Sequence, residues 1–167
     1  MYFVKSVKPI AFAPSKNWMN LRGRPMITDQ IMQDITCNLL FVYGTLMRGM
    51  GNPFSEQLST ASDFLCPATV QGRLYDVRGE YPCAVASLDP KELIYGELYR
   101  LNDPATLFQA LDPYEDCYPE DGSRSLFIRM ITPVTTRSND KVNAWIYFWN
   151  SSLNGLPRIA NGDYRCH

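Results

Sequence analysis

Four apolar residues in a row, Leu39-Leu40-Phe41-Val42, stop abruptly at Tyr43-Gly44-Thr45 and are followed by Leu46-Met47-Arg48-Gly49. A short apolar run that includes aromatic and β-branched residues and ends at a glycine reads as a strand buried on both faces. Such a strand needs neighbours above, below and beside it, so it cannot lie at the edge of a solvated sheet. Gly44 allows a turn that a side chain would obstruct and leaves room for close approach to the main chain. Amides released at the end of a buried strand need acceptors. A small anion or a carbonyl oxygen is one candidate, and an ordinary strand-to-loop exit is the other.

The rest of the chain reads as more strands around this one. Ala68–Val77 alternates, with Gly72 suggesting a bulge or bend. Cys83–Ala86 is a short strand, and Leu93–Arg100 is a long one with Gly96 inside it. Phe127–Thr135 and Val142–Trp149 form an antiparallel pair across Arg137-Ser138-Asn139-Asp140. Phe54–Leu58 gives a short helical turn. Asp103-Pro104 is a helix start, with Leu107, Phe108 and Leu111 at helical spacing and a stop near Asp112-Pro113. With about six strands, one good helix and no βαβ alternation, the expected class is α+β with a small, mostly closed sheet. Residues 1 to about 36 mix proline with lysine and arginine and show no sustained period. They read as an irregular extension before a domain over 37–167, with Met32 a candidate natural start.

Composition narrows the chemistry. A net charge of −1 argues against nucleic acid and against an acidic membrane surface. No run of about 18 apolar residues is present to span a membrane. The five cysteines are odd in number, and no two stand at C-x-x-C spacing, which suits reduced thiols in a cytoplasmic protein. The single histidine is His167, at the end of the chain, so a Ser–His or Cys–His pair and a His-rich metal site are not expected. A catalytic base would be a carboxylate.

Among the carboxylates, Glu80, Asp89, Glu92, Asp103, Glu120, Asp121 and Asp140 lie in polar turns or caps and read as solvated. Glu97 sits inside an apolar strand, where alternation is compatible with the outer face. Glu115 follows the helix end and stands among Tyr114, Cys117 and Tyr118. Partial desolvation there would raise its pKa into the range useful for a general base; a helix-end surface charge is the plainer reading. Tyr147 suits a hydrogen bond to substrate or a place in the core, Tyr81-Pro82 a cavity wall or a plain turn, and Arg48 a carboxylate partner or a solvated cation.

Together the motifs resemble the γ-glutamylcyclotransferase-like (AIG2-like) family, in particular its small bacterial members. They run in order: Val42-Tyr43-Gly44-Thr45-Leu46, Gly72-Arg73-Leu74-Tyr75, Tyr81-Pro82, Gly96-Glu97-Leu98-Tyr99, Leu111-Asp112-x-Tyr114-Glu115, Arg129, Ala144-Trp145-x-Tyr147 and Gly162-Asp163-Tyr164. The resemblance covers about 39–167. It implies a small mixed β-barrel with flanking helices. Tyr43, Gly44, Thr45 and Leu46 would line the ligand cavity and hold the amino-acid end of a γ-glutamyl group largely by main chain. Tyr81, Pro82 and Tyr147 would complete the wall, and Glu115 would be the catalytic glutamate. The implied activity is release of an amine or amino acid from a γ-glutamyl compound, with formation of 5-oxoproline. The substrate's own α-amine is the nucleophile, so neither a metal nor another cofactor is required. Phe127 stands where relatives carry Tyr, and Asp116 where they often carry Gly. A binding module that keeps the cavity without turnover, and an unrelated β-rich interaction domain, are the alternative readings.

Overall fold

In the computed structural model the described residues are 37–167; the extension expected at 1–36, and the start expected at Met32, lie outside them. The elements in chain order are β1 (Leu39–Val42), α1 (Pro53–Ala61), β2 (Ser62–Val77), β3 (Tyr81–Ala86), β4 (Leu93–Leu101), α2 (Pro104–Tyr114), β5 (Phe127–Thr136), β6 (Lys141–Trp149) and β7 (Arg158–Ile159). A short 3₁₀ turn, Tyr164–Cys166, follows.

The strand order β2-β4-β1-β6-β5 closes through a β2–β5 pairing into a mixed barrel, with β3 and β7 attached outside to β2. β1 runs antiparallel to β4 and parallel to β6, and all other pairs are antiparallel. This is the α+β barrel expected from the sequence. Two strands begin before their expected starts, β2 at Ser62 rather than Ala68 and β3 at Tyr81 rather than Cys83, and α1 outruns the expected Phe54–Leu58. The first half of β2 pairs β4, and its second half carries β3 and β7. The register shift falls between Phe64 and Cys66, ahead of Pro67, rather than at the expected Gly72. Gly72 instead gives room: a Cβ there would come within 2.6 Å of the Val85 carbonyl oxygen.

β1 separates two apolar clusters. Phe41 and Tyr43 join Val70, Ile94, Leu98, Val134, Ile146 and Phe148 inside the barrel. Leu40 and Val42 point the other way, into a cluster completed by Leu58 of α1 and Leu107, Phe108 and Leu111 of α2. Alternating side chains on a strand explain how both faces are buried at once. β4 must therefore pass close beneath β1, and Gly96 permits it. A Cβ at that position would collide with the Val42 carbonyl oxygen and lie 2.7 Å from the Phe41 ring.

α2 starts as expected, with the Asp103 side chain accepting from the Thr106 amide and Pro104 in the first turn. It stops near Asp112-Pro113, as expected, running one residue further to Tyr114. Proline disfavours helix in the residue before it, but in the last turn few intrahelical bonds remain to be lost. The end is a closed cap: the Asp116 amide donates to the Pro113 carbonyl (3.3 Å) and the Cys117 amide to the Asp112 carbonyl (2.9 Å). These are the two bonds of a Schellman motif, which requires left-handed backbone at the residue after the cap. Asp116 supplies it, with φ 46°. Among the described residues no helix is long and apolar enough to cross a membrane.

Two substitutions should move stability in opposite directions. Gly96→Ala should lower it by about 1–3 kcal/mol through overpacking between β4 and β1. Asp116→Gly should raise it by about 0.5–1 kcal/mol by relieving the left-handed residue. Thermal and denaturant unfolding of the variants measures both.

Candidate functional site

The turn after β1, the start of β3 and the end of α2 converge on a cavity of about 240 Å³. The turn contributes Tyr43, Gly44, Thr45 and Leu46, and β3 contributes Tyr81 and Pro82, preceded by Glu80. The helix end contributes Tyr114, Glu115 and Asp116, while Leu126, Phe127 and Tyr147 complete the wall. The structure thus brings to one cavity Glu115 and the residues Tyr43, Gly44, Thr45, Leu46, Tyr81, Pro82 and Tyr147 singled out in the sequence. Arg48 is not in the wall.

The turn is fixed from several sides. The Met47 amide donates to the Gly44 carbonyl (2.9 Å), closing a tight turn. Gly44 packs on Pro82 so closely that a Cβ would stand 2.6 Å from the proline Cγ. The Asn52 side chain caps α1 through the Phe54 and Ser55 amides and donates its own Nδ2–H to the Thr45 carbonyl. Thr45 Oγ1 meets the Tyr114 hydroxyl at 3.0 Å, and the Tyr114 ring stacks on Phe54 at 4.0 Å. Among the described residues, no protein acceptor takes the amides of Gly44, Thr45 or Leu46.

Below the turn lies a buried carboxylate. Glu97 alternates with Leu98 and so lies on the outer face of the barrel, yet it is only 1% exposed because that face is covered. Its oxygens accept from the Arg48 amide (2.9 Å), the Arg48 Nε–H (3.2 Å) and the Tyr99 hydroxyl (2.8 Å). Arg165 adds a second cation at 3.4 Å. Arg48 also lies over the Phe64 ring at 3.4 Å. A buried charge is tolerated when it is paired and fully hydrogen-bonded, as here. Arg48 meets a carboxylate after all, but that of the protein itself.

Glu115 differs in having no partner. Among the described residues its carboxylate accepts no hydrogen bond and forms no ion pair. The residue as a whole is half-buried, with its carboxylate enclosed by the cavity wall. Burial, reinforced by the negative charges of Asp112 and Asp116, pushes its pKa up from 4.5 to about 8. Burial also raises the Tyr43 hydroxyl well above its ordinary range, with Glu115 as the next cause. That hydroxyl donates to the Tyr147 carbonyl at 2.7 Å.

One group of residues was missed as a unit in the sequence. Arg129 and Tyr147 stand opposite each other across β5 and β6. Both reach the same carboxylate of α2. Arg129 binds Asp112 in fork geometry, Nε to Oδ1 at 2.8 Å and Nη2 to Oδ2 at 3.0 Å. The Tyr147 hydroxyl donates to Oδ1 at 2.6 Å. The guanidinium is held over Phe108 (3.8 Å) and Trp145 (4.6 Å). The signal was present: a lone arginine midway along an otherwise apolar and Thr-rich strand needs an anion on its own face. Which anion is a matter of helix placement, which pattern alone does not give.

The carboxylates expected to be solvated include Glu92, which pairs with Arg73 (2.9 Å) and Arg158 (2.9 Å) beside a second, smaller polar hollow of about 100 Å³.

No curated protein matches the chain. Among solved structures, YkqA from Bacillus subtilis is 27% identical with a TM-score of 0.58, over 78% of this chain and 40% of that one. The chain therefore spans well under half the length of that relative. The ytfP protein of Escherichia coli is 28% identical with a TM-score of 0.52, over 75% of this chain and 95% of that one. An AIG2-like protein from Mus musculus shares the fold, with a TM-score of 0.60 at 22% identity, over 76% of this chain and 87% of that one. The sequence profile described as "Gamma-glutamyl cyclotransferase, AIG2-like" matches residues 40–166. By that match, which takes in all of the barrel but Leu39, the turn at Gly44 and the helix end carrying Glu115, the chain belongs to the gamma-glutamyl cyclotransferase, AIG2-like family.

Proposed function

We propose that the protein is a γ-glutamylcyclotransferase-type enzyme in which Glu115 is the general acid and base. The observation that carries this reading is a desolvated carboxylate in the same small cavity as main-chain amides, neither partnered among the described residues. Family membership supports the reaction class. The substrate is a γ-glutamyl amide, and the wall residues Tyr43, Gly44, Thr45, Leu46, Tyr81, Pro82 and Tyr147 bind its glutamyl part.

The chemistry needs no protein nucleophile. The α-amine of the substrate attacks its own γ-carbonyl carbon, so a C–N bond forms and a five-membered ring closes. The amine begins as ammonium, with an α-amino pKa of ~8. Glu115 takes the proton, and a pKa of about 8 matches it to that task. The γ-amide C–N bond then breaks, and Glu115 returns the proton to the departing nitrogen. The products are 5-oxoproline and a free amine, with no water consumed. Amides of Gly44, Thr45 and Leu46 suit an oxyanion at the γ-carbon or the substrate carboxylate. Confinement to a folded shape contributes up to roughly 7–11 kcal/mol in favourable intramolecular reactions.

Glu115→Gln should abolish 5-oxoproline release from a panel of γ-glutamyl amines and amino acids while leaving binding intact. Equal turnover by wild type and variant would remove the assignment, and binding without turnover by wild type would favour a binding module. In wild type kcat/KM should peak near pH 8, between loss of the proton from Glu115 and loss of the proton from the substrate amine.

The same group makes a stability prediction that does not depend on substrate. A raised carboxyl pKa means that the folded state holds the proton more tightly than the unfolded chain. Stability from this group is therefore full below the ordinary value of 4.5 and is lost as pH rises through about 8. Glu115→Gln should match wild type at pH 4 and exceed it at pH 9. The gain should be on the order of 2 kcal/mol, below the full shift because the residue keeps some solvent contact. Denaturant unfolding at the two pH values checks it.

A further inference from the structure

Tyr147 lines the cavity, but its hydroxyl hydrogen is already committed. It donates to Asp112 Oδ1 at 2.6 Å, the short distance expected of a hydroxyl bound to an ionised oxygen. Asp112 cannot offer a proton in return, because Arg129 holds both of its oxygens in a fixed fork. Phe108 and Trp145 hold that guanidinium in place from its faces. Burial and the Asp112 charge also push the Tyr147 pKa far above its ordinary range, so the hydroxyl stays protonated. A phenol with its hydrogen fixed toward one anion has only oxygen lone pairs left for anything else. Toward the cavity, Tyr147 is an acceptor and cannot be a donor.

This has a consequence for the ligand. The turn at Gly44–Leu46 carries amides that meet no acceptor among the described residues, whereas Tyr147 presents an acceptor. A molecule that fits carries its oxygens at one end and an N–H group at the other. We propose that Asp112 and Arg129 are positioning residues that orient Tyr147 as a fixed acceptor for the reacting nitrogen of the substrate, the atom that becomes the lactam N–H of the product. The proposal rests on the cyclotransferase reading. It adds a role for two residues outside the cavity wall and a polarity for a third. The benefit to the reaction is directional. An acceptor on one N–H of the amine, with Glu115 on another, turns the nitrogen lone pair toward the γ-carbon, and a donor in that place would consume the lone pair.

The test compares 5-oxoproline with 3-oxocyclopentane-carboxylate, which has CH₂ where the lactam has N–H, by titration calorimetry at pH 7. Wild type should bind the lactam about tenfold more tightly, the worth of one hydrogen bond to an otherwise unpaired acceptor. Tyr147→Phe should reduce that preference to about twofold or less, while binding of the ketone changes little. Asp112→Asn, which releases the hydroxyl from its anion, should reduce it as well, a shift in selectivity that loss of packing alone would not give. Equal binding of the two ligands by wild type overturns the proposal. So does a preference that survives in Tyr147→Phe or Asp112→Asn, or one that disappears only in Glu115→Gln. If neither ligand binds wild type at all, the cyclotransferase reading fails, and this inference falls with it. Binding of the lactam without selectivity leaves that reading standing and removes this one alone.

Discussion

β1 is only Leu39–Val42 long, yet it is packed on both faces, paired on both edges and buried almost completely. A strand so enclosed has no room to fade gradually into a loop. Its pairing with β4 ends at Val42, and the main chain turns at once over Gly44. The amides beyond that point are left at the wall of a hollow that the barrel and the helices do not fill. The close approach of Pro82 to Gly44 and of Gly96 to Val42 shows how little slack the arrangement has. The cavity is thus a by-product of enclosing one short strand.

The second consequence follows from how α2 ends. Its last turn carries Asp112 on one side and Glu115 on the other, three residues apart and so near neighbours on the helix surface. Asp112 is taken by Arg129 and Tyr147 on the barrel strands, and this pairing satisfies it. Glu115 is left facing the hollow with no cation among the described residues, and burial, with the negative charge of Asp112 beside it, favours the protonated form. One carboxylate is spent on docking the helix to the barrel, which leaves the other free to change its protonation state. The left-handed Asp116 then turns the chain away, so that the next segment returns past the cavity as Leu126 and Phe127.

Several features were legible because they depend on local rules. Asp103-Pro104 announced the helix start, the alternation of Ala68–Val77 announced a half-buried strand, and the break at Gly44 announced the turn. The features left undecided share one cause. The proline rule is local and marks only the neighbourhood of the helix end, whereas the cap formed by Asp116 and Cys117 needs bonds reaching back to Pro113 and Asp112. Glu97 was compatible with the solvent side because alternation gives two faces without saying which is wet. Here both faces of β4 are covered, and Arg48 and Arg165 supply the charge that makes its burial tolerable.

Sequence by itself determined that the chain would form a small barrel around a doubly buried strand, and that a carboxylate near a helix end would stand among aromatics. Both are short-range properties, set by side-chain periodicity, capping and the conformational freedom of glycine. Only the tertiary structure decided which carboxylate is neutralised and which is not. Asp112 and Glu115 are only three residues apart in sequence and alike in chemistry. They differ because Arg129, seventeen residues away from Asp112, reaches one and not the other. Charge pairing depends on distance in space, and burial multiplies its effect, so the property that distinguishes this cavity appears only when strands and helix are assembled.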